Sequence, residues 1–163
     1  MIELQQFNKT DFSRLISWID SEEALLQFTG GIFKYPLTHE QLEDYLKDEN
    51  RIVFKVLNKS TNEVIGHSEI LRVDDISVKI CRLLIGDLSL RGKGYGQALM
   101  KALVEYAIQK LNAKSIELNV YDWNTSAIKC YEKVGFKANP AKSKVVKFGE
   151  NIEWLAVNMI FIP

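Results

Sequence analysis

The chain has 163 residues, 47% hydrophobic and 10% aromatic, which suits one domain spanning residues 1–163 with a sizeable core. Its 21 Lys and Arg are balanced by 21 Asp and Glu, so the basic excess of a dedicated nucleic-acid binder is missing. Cys81, Cys130, His39 and His67 are scattered; they form no zinc-type ligand set, and no metal is expected. The N-terminal "MIELQQFNKTDF" lacks the basic and apolar regions of a signal peptide, and no apolar run is long enough to span a bilayer. The expectation is a cytoplasmic protein with reduced thiols, with no nucleic-acid or membrane partner and with homodimerisation left open.

In chain order, "MIELQQF" alternates and predicts a strand. "KTDFSRLISWI" follows with Phe12, Leu15, Ile16 and Ile19 at helical spacing and Thr10 or Asp11 as cap. "LLQFTGGIFKYP" reads as a loop with a glycine pair and three aromatics. "LTHEQLEDYLKD" reads as a helix with Thr38 at the N-cap and Gln41 completing a capping-box pattern. "RIVFKVLN" and "EVIGHSEILRV" form a hairpin through "KSTN", and "ISVKICRLLIGD" is a further β-branched strand. A helix is expected from Tyr95 to Leu111, with Tyr95, Ala98, Leu99, Ala102, Leu103, Tyr106 and Ala107 on its apolar face. "KSIELNVY" is a strand. "WNTSAIKCYEKVGF" is a short helix capped by Asn124 or Thr125 and stopped by Gly135, with Phe136 folding back. "SKVVKFGENIEWLAVNMIFI" closes the chain as a hairpin. Early hairpins and later strand-helix-strand crossovers predict a mixed α/β fold: one mostly antiparallel sheet of about seven strands, with helices on both faces.

The segment "IGDLSLRGKGYGQALM" carries the chemistry. Glycines at 92, 94 and 96 leave backbone N–H groups uncovered at a strand-to-helix turn, where the helix dipole is positive. Such a nest suits phosphate or pyrophosphate, and Arg91 and Lys93 add charge. The dinucleotide fingerprint G-x-G-x-x-G fails, because its third glycine falls on Gln97 or Leu99. The P-loop fails as well, since Tyr95 follows Gly94.

The run Arg-Gly-Lys-Gly-Tyr-Gly after "IGDLSL" resembles the acyl-CoA-binding motif R/Q-x-x-G-x-G/A of the GNAT N-acetyltransferases. One helix and one strand later, Asn124, Ala127, Tyr131, Gly135 and Phe136 are similar to that family's N-x-x-A-x-x-x-Y-x-x-x-G-F element. The paired motifs and the element order extend the resemblance over essentially the whole chain, and the wording resembles the branch with ribosomal-protein and polyamine acetyltransferases. The resemblance implies acetyl-CoA as co-substrate. Backbone groups of Ile85, Gly86 and Asp87 would hold its pantetheine arm. Amides from Gly92 through Lys93, Gly94, Tyr95 and Gly96, beside Arg91, would hold its pyrophosphate. Asn124 and Tyr131 would also contact the coenzyme.

Acetyl transfer to an amine needs a neutral amine, a donor for the oxyanion and a proton for the leaving thiolate. A tyrosine is protonated at neutral pH, which suits Tyr131 as the acid; the competing reading is a core side chain. The family's usual strand carboxylate is missing from "ISVKICRLLIG". Glu69, sharing an alternating face with Ile65, His67 and Leu71, is the candidate base, or else an ordinary strand residue. Asp87 is equally a loop cap. His67 reads as structural, and Cys81 and Cys130 as core thiols with no activating histidine. Phe28, Phe33 and Tyr35 are candidates for the wall of an acceptor pocket, made mobile by Gly30-Gly31, or alternatively a cover for the sheet. The expected activity is N-acetylation of a primary amine, on a small molecule or a peptide, by direct attack in a ternary complex. The alternative is a catalytically silent acyl-CoA-binding module.

Overall fold

The computed structural model describes Met1–Pro163. The chain opens with β1 (Ile2–Gln6), a 3-10 turn and α1 (Phe12–Ser17), then α2 (Glu22–Thr29) and α3 (His39–Tyr45). Strands β2 (Arg51–Asn58), β3 (Glu63–Arg72) and β4 (Ser77–Ile85) form a meander. Helix α4 (Tyr95–Leu111), β5 (Ser115–Tyr121) and α5 (Thr125–Val134) follow, and β6 (Lys137–Ala138), β7 (Lys144–Phe148) and β8 (Ile152–Phe161) complete the chain. The sheet order is β1-β2-β3-β4-β5-β8-β6, with β7 paired to β8. Only β4 and β5 run parallel, as expected for two strands joined through a crossover helix. The expected mixed, mostly antiparallel fold is present, with the two-residue β6 as its eighth strand.

Local signals account for most boundaries, and two differ from expectation. The cap before α1 is Asn8, whose side chain accepts from Thr10 N while Asp11 accepts from Asn8 N, each at 3.0 Å. Asp11 is therefore the returning half of a capping box, and Thr10 is not the cap. The stretch expected to be a loop contains the end of α2. Ser21 accepts from Ala24 N at 3.1 Å, Glu22 and Glu23 sit in the positive first turn, and Gly30 ends the helix at φ +64°. Thr38 caps α3 as expected, accepting from Gln41 N. The Gln41 side chain bonds backward to Lys34 and Pro36 instead of closing the box.

Helix α4 has the expected bounds. Its buried face adds Met100 and Val104 to Leu99, Leu103 and Ala107, while Ala98 and Ala102 stay partly exposed, because α4 packs on β1 and β4 and also against α5. With Ile116, Leu118, Met159 and Phe136 these residues form the hydrocarbon core on one face. A second core of Phe7, Phe12, Leu15, Leu25, Phe28 and Leu42 lies under α1–α3 on the other.

Two irregularities shape the centre of the sheet. The β2–β3 register shifts between Val56 and Leu57, and Ile65 joins the α4–α5 core, so Ile65 does not share the face of His67 and Glu69. The β3–β4 register then shifts between His67 and Glu69, with Arg82 in the left-handed region at φ +50°. Two β4 residues there oppose one β3 residue, which is a β-bulge, and a bulge bends its strand. Pairing of β4 with β5 ends at Ile80 and Leu118, yet β4 continues to Ile85 and β5 to Tyr121. The two strands part at their C-terminal ends.

Candidate active site

Where β4 leaves β5, its inner edge carries backbone groups with no strand beside them. Such an edge can take an extended ligand arm as an added strand. Gly86 follows it, with its own amide already donated to Ile65 O at 2.9 Å. An added Cβ at Gly86 would lie 2.0 Å from the Trp18 ring, so only glycine lets that indole cover the strand end. Asp87 accepts from Ser89 N at 2.8 Å, which makes it the cap of a short 3-10 turn, Leu88–Leu90; the Ser89 hydroxyl and then its amide hold the Asp87 carboxyl below the usual range.

The glycines that follow have separate tasks. Gly92 and Gly94 adopt φ +76° and +86° with open space around them, so conformation, not packing, requires glycine there. Gly96 lies in the first turn of α4. Ala98 donates to Gly94 O at 3.0 Å, while the amides of Gly94, Tyr95, Gly96 and Gln97 reach no protein acceptor. Four free amides at a helix start, flanked by exposed Arg91 and Lys93, fit a pyrophosphate. The Tyr95 hydroxyl accepts from Asn58 at 3.1 Å and ties the helix start to the sheet.

Helix α5 begins at Asn124, whose side chain accepts from Ala127 N at 3.4 Å. Gly135 stops it at φ +115°, and Phe136 N returns to Tyr131 O at 3.1 Å. Tyr131 is half-buried against the main core and Phe136. Burial pushes its phenol up, so it is protonated at neutral pH, and no protein group is hydrogen-bonded to its hydroxyl. Burial also raises the Cys81 and Cys130 thiols, in keeping with inert packing.

Glu69 has 0% exposure. One of its oxygens is 2.7 Å from Arg51 Nη1, the other 3.2 Å from Arg82 Nε, and Tyr45 donates its hydroxyl to the carboxylate. Both guanidinium groups also lie over the Tyr45 ring, at 5.5 and 5.6 Å. His67, 1% exposed, is ringed by Phe7, Phe28 and Tyr45. Its Nδ1 meets Arg82 O at 3.0 Å and its Nε2 has no partner. Burial lowers its pKa to about 4, so it is neutral and structural. Sequence reasoning reached Glu69 and missed Tyr45, Arg51 and Arg82: Arg51 reaches Glu69 across the β2–β3 pairing, Arg82 through the bulge and Tyr45 from the end of α3.

The expected acceptor wall is only partly there. Phe28 and Phe33 are buried in the α1–α3 core and do not present free faces. Tyr35 is exposed, with its hydroxyl 3.3 Å from Asp20 O. Gly30 and Gly31 instead meet side chains from the far end of the chain. Ideal Cβ atoms there would lie 3.5 Å from the Tyr121 hydroxyl and 3.2 Å from the Phe148 ring. A separate groove of about 350 Å³, lined by Lys101, Val104, Glu105, Val134 and Phe161 among others, follows the later turns of α4 and is not part of this site.

The fold, the parted strands and the amide nest define an acyl-coenzyme A transferase architecture, and the profile of the acetyltransferase (GNAT) family matches residues 16–136. The chain belongs to that family, whose members use acetyl-CoA as co-substrate; it is an acetyl-CoA-dependent N-acetyltransferase. It is 24% identical to an N-acetyltransferase 9-like protein of Nematostella vectensis, over 92% of this chain and 83% of that one. An aminoglycoside N(6')-acetyltransferase type 1 of Klebsiella pneumoniae is 25% identical over 83% of this chain and 74% of its own length. Among solved structures, a spermidine N-acetyltransferase from Vibrio cholerae in complex with CoA and spermine superimposes with a TM-score of 0.80 at 20% identity, covering 99% of this chain and 95% of that one. No helix is long and apolar enough to cross a membrane.

Proposed function

We propose that this protein moves the acetyl group of acetyl-CoA to a primary amine of a small molecule or peptide by direct attack in a ternary complex. The observations that carry the reading are the open β4 edge, the four free amides of α4 and the unpartnered hydroxyl of Tyr131 on α5, the helix packed beside α4. Ile85, Gly86 and Asp87 line the pantetheine arm, Arg91 through Gly96 hold the pyrophosphate, and Asn124 closes the coenzyme side. The neutral amine attacks the thioester carbon, and the phenol of Tyr131 gives its proton to the departing sulfur. Two relatives support a small amine acceptor, one of them crystallised with spermine and the other named for aminoglycosides.

Glu69 enters this scheme as a positioning group. A carboxylate with no exposed surface, hydrogen-bonded to Arg51 and Tyr45 and in ion-pair contact with Arg82, presents no oxygen to a substrate. It holds Arg82, and so fixes the bulge that turns β4 away from β5. The amine proton then leaves through water.

The test is coenzyme binding followed by turnover. Coenzyme A should raise the melting temperature, because it binds only the native state, and Gly94→Val should remove that rise. Free thiol should appear when acetyl-CoA is mixed with an amine from a panel of polyamines, aminoglycosides and peptides. Equal coenzyme affinity in both proteins overturns the nest. Tight binding with no thiol release across the panel would favour the silent coenzyme-binding module.

A further inference from the structure

At the end of β5, four aromatic rings gather from segments far apart in sequence. Tyr121 stacks on Trp123 at 5.9 Å with the planes 10° apart. Trp154 of β8 meets both, at 4.7 and 5.3 Å, and Phe148 of β7 meets Trp154 at 5.5 Å. The Gly30-Gly31 turn touches Tyr121 and Phe148 from the other side. Tyr121 belongs to the part of β5 that has left β4, and Trp123 directly precedes Asn124, so the cluster adjoins the proposed acyl site. Trp123 remains 43% exposed, so the cluster is open to solvent at that ring.

The charges around the cluster favour a cationic occupant. The cation–ring contacts of this protein both fall on Tyr45, so no lysine or arginine occupies these four rings. Asp122, between the two stacked residues, and Glu150, in the β7–β8 turn, are exposed and form no ion pair; Glu153 is paired with Lys147 at 3.4 Å. Electron-rich ring faces attract a cation, most strongly one that is weakly hydrated, and unpaired carboxylates one or two residues along the chain from Tyr121, Trp123 and Phe148 make the surroundings no less favourable to it. A lysine-like primary ammonium is strongly hydrated through its N–H groups, whereas a quaternary ammonium has none and is not.

We propose that Tyr121, Trp123, Phe148 and Trp154 form a subsite for a quaternary ammonium group, carried by the acceptor at a distance from the amine that is acetylated. This rests on the acetyltransferase reading for its location. The cluster anchors the acceptor by its second, unreactive cation and leaves the primary amine to approach the thioester.

The experiment uses the full chain with saturating coenzyme A and two probes that cannot be acetylated on nitrogen. Choline carries a trimethylammonium group, and 3,3-dimethylbutan-1-ol has the same shape without charge. Binding is read by calorimetry and by tryptophan emission. Choline should bind roughly tenfold tighter than the alcohol, within the range of a cation–ring contact. Trp123→Leu should erase that difference, and Trp123→Phe, with a weaker ring, should keep part of it. Equal affinity for the two probes, no binding of either, or an unchanged difference in Trp123→Leu would each overturn the subsite. Because neither probe is a nitrogen acceptor, failure here leaves acetyl transfer standing. Choline discrimination together with no thiol release in the separate acetyl-CoA amine panel would retain the subsite and count against acetyl transfer to that panel.

Discussion

On the face covered by α4 and α5, the sheet buries Ile116, Leu118, Leu99, Leu103 and Met159, all hydrocarbon or thioether. On the face covered by α1–α3 it buries Glu69, His67 and the largely hidden Arg82 among aromatic rings. Both faces exclude water, but by different means. The first needs only shape and volume. The second stands on matched charges, and one of its histidine nitrogens is left with no partner at all. The difference follows from the bulge. A strand that must bend away from its neighbour frees the Arg82 carbonyl and redirects its side chain. Polar groups then have to be buried to accept both.

Removing the charge at the centre of that polar face gives the largest expected effect. Glu69→Gln leaves Arg82 without its carboxylate partner, while Arg51 keeps Asp48 at 2.9 Å. Breaking a buried pair from one side costs about 3–5 kcal/mol, measurable by urea unfolding. A cost below about 1 kcal/mol would erase the contrast between the faces, since it would mean the cluster is effectively solvated.

A smaller effect comes from pH. His67 has its pKa lowered from 6.5 to about 4 by burial, so the unfolded chain binds a proton that the folded chain refuses between those values. Its contribution is complete above about pH 6.5 and is lost as pH falls towards 4, on the order of 3 kcal/mol in all. His67→Gln should be less stable than the parent at pH 7.5 and should lose less stability between pH 7 and 5. Parallel pH profiles for the two proteins would show that His67 is not the group responsible.

Tyr131→Phe sharpens the comparison from the hydrocarbon side, because Tyr131 packs on that core and yet has a free hydroxyl. Turnover should fall on the order of 10²-fold, the scale of one proton donor, with little change in melting temperature. Full activity would move the proton to another donor. A large drop in melting temperature would make the hydroxyl a structural group.

The strands and α4 were legible because their signals are local: β-branched runs, a left-handed glycine, an amphipathic stripe. The coenzyme motifs are legible for the same reason, since glycine-rich backbone acts through its own amides. Helix α2 carried a readable start at Ser21 and stop at Gly30, and was obscured by the aromatics at its end. Glu69 could be found by alternation, and Arg51 by its pairing across the β2–β3 hairpin, but Arg82 could not. A one-residue bulge changes which side chains share a face, and nothing in "KICRLLIG" announces one. The aromatic cluster was equally hidden, its members at 121, 123, 148 and 154 meeting only through the β5–β8 and β7–β8 pairings.

Trp18 fills the space that any side chain at position 86 would need, approaching to 2.0 Å of where a Cβ would stand. Positions 18 and 86 therefore cannot drift separately through evolution. A relative with alanine or anything larger at 86 must carry a smaller or differently placed residue at 18. The end of the first helix and the end of the central strand are in this sense inherited as one unit, although 67 residues of chain lie between them.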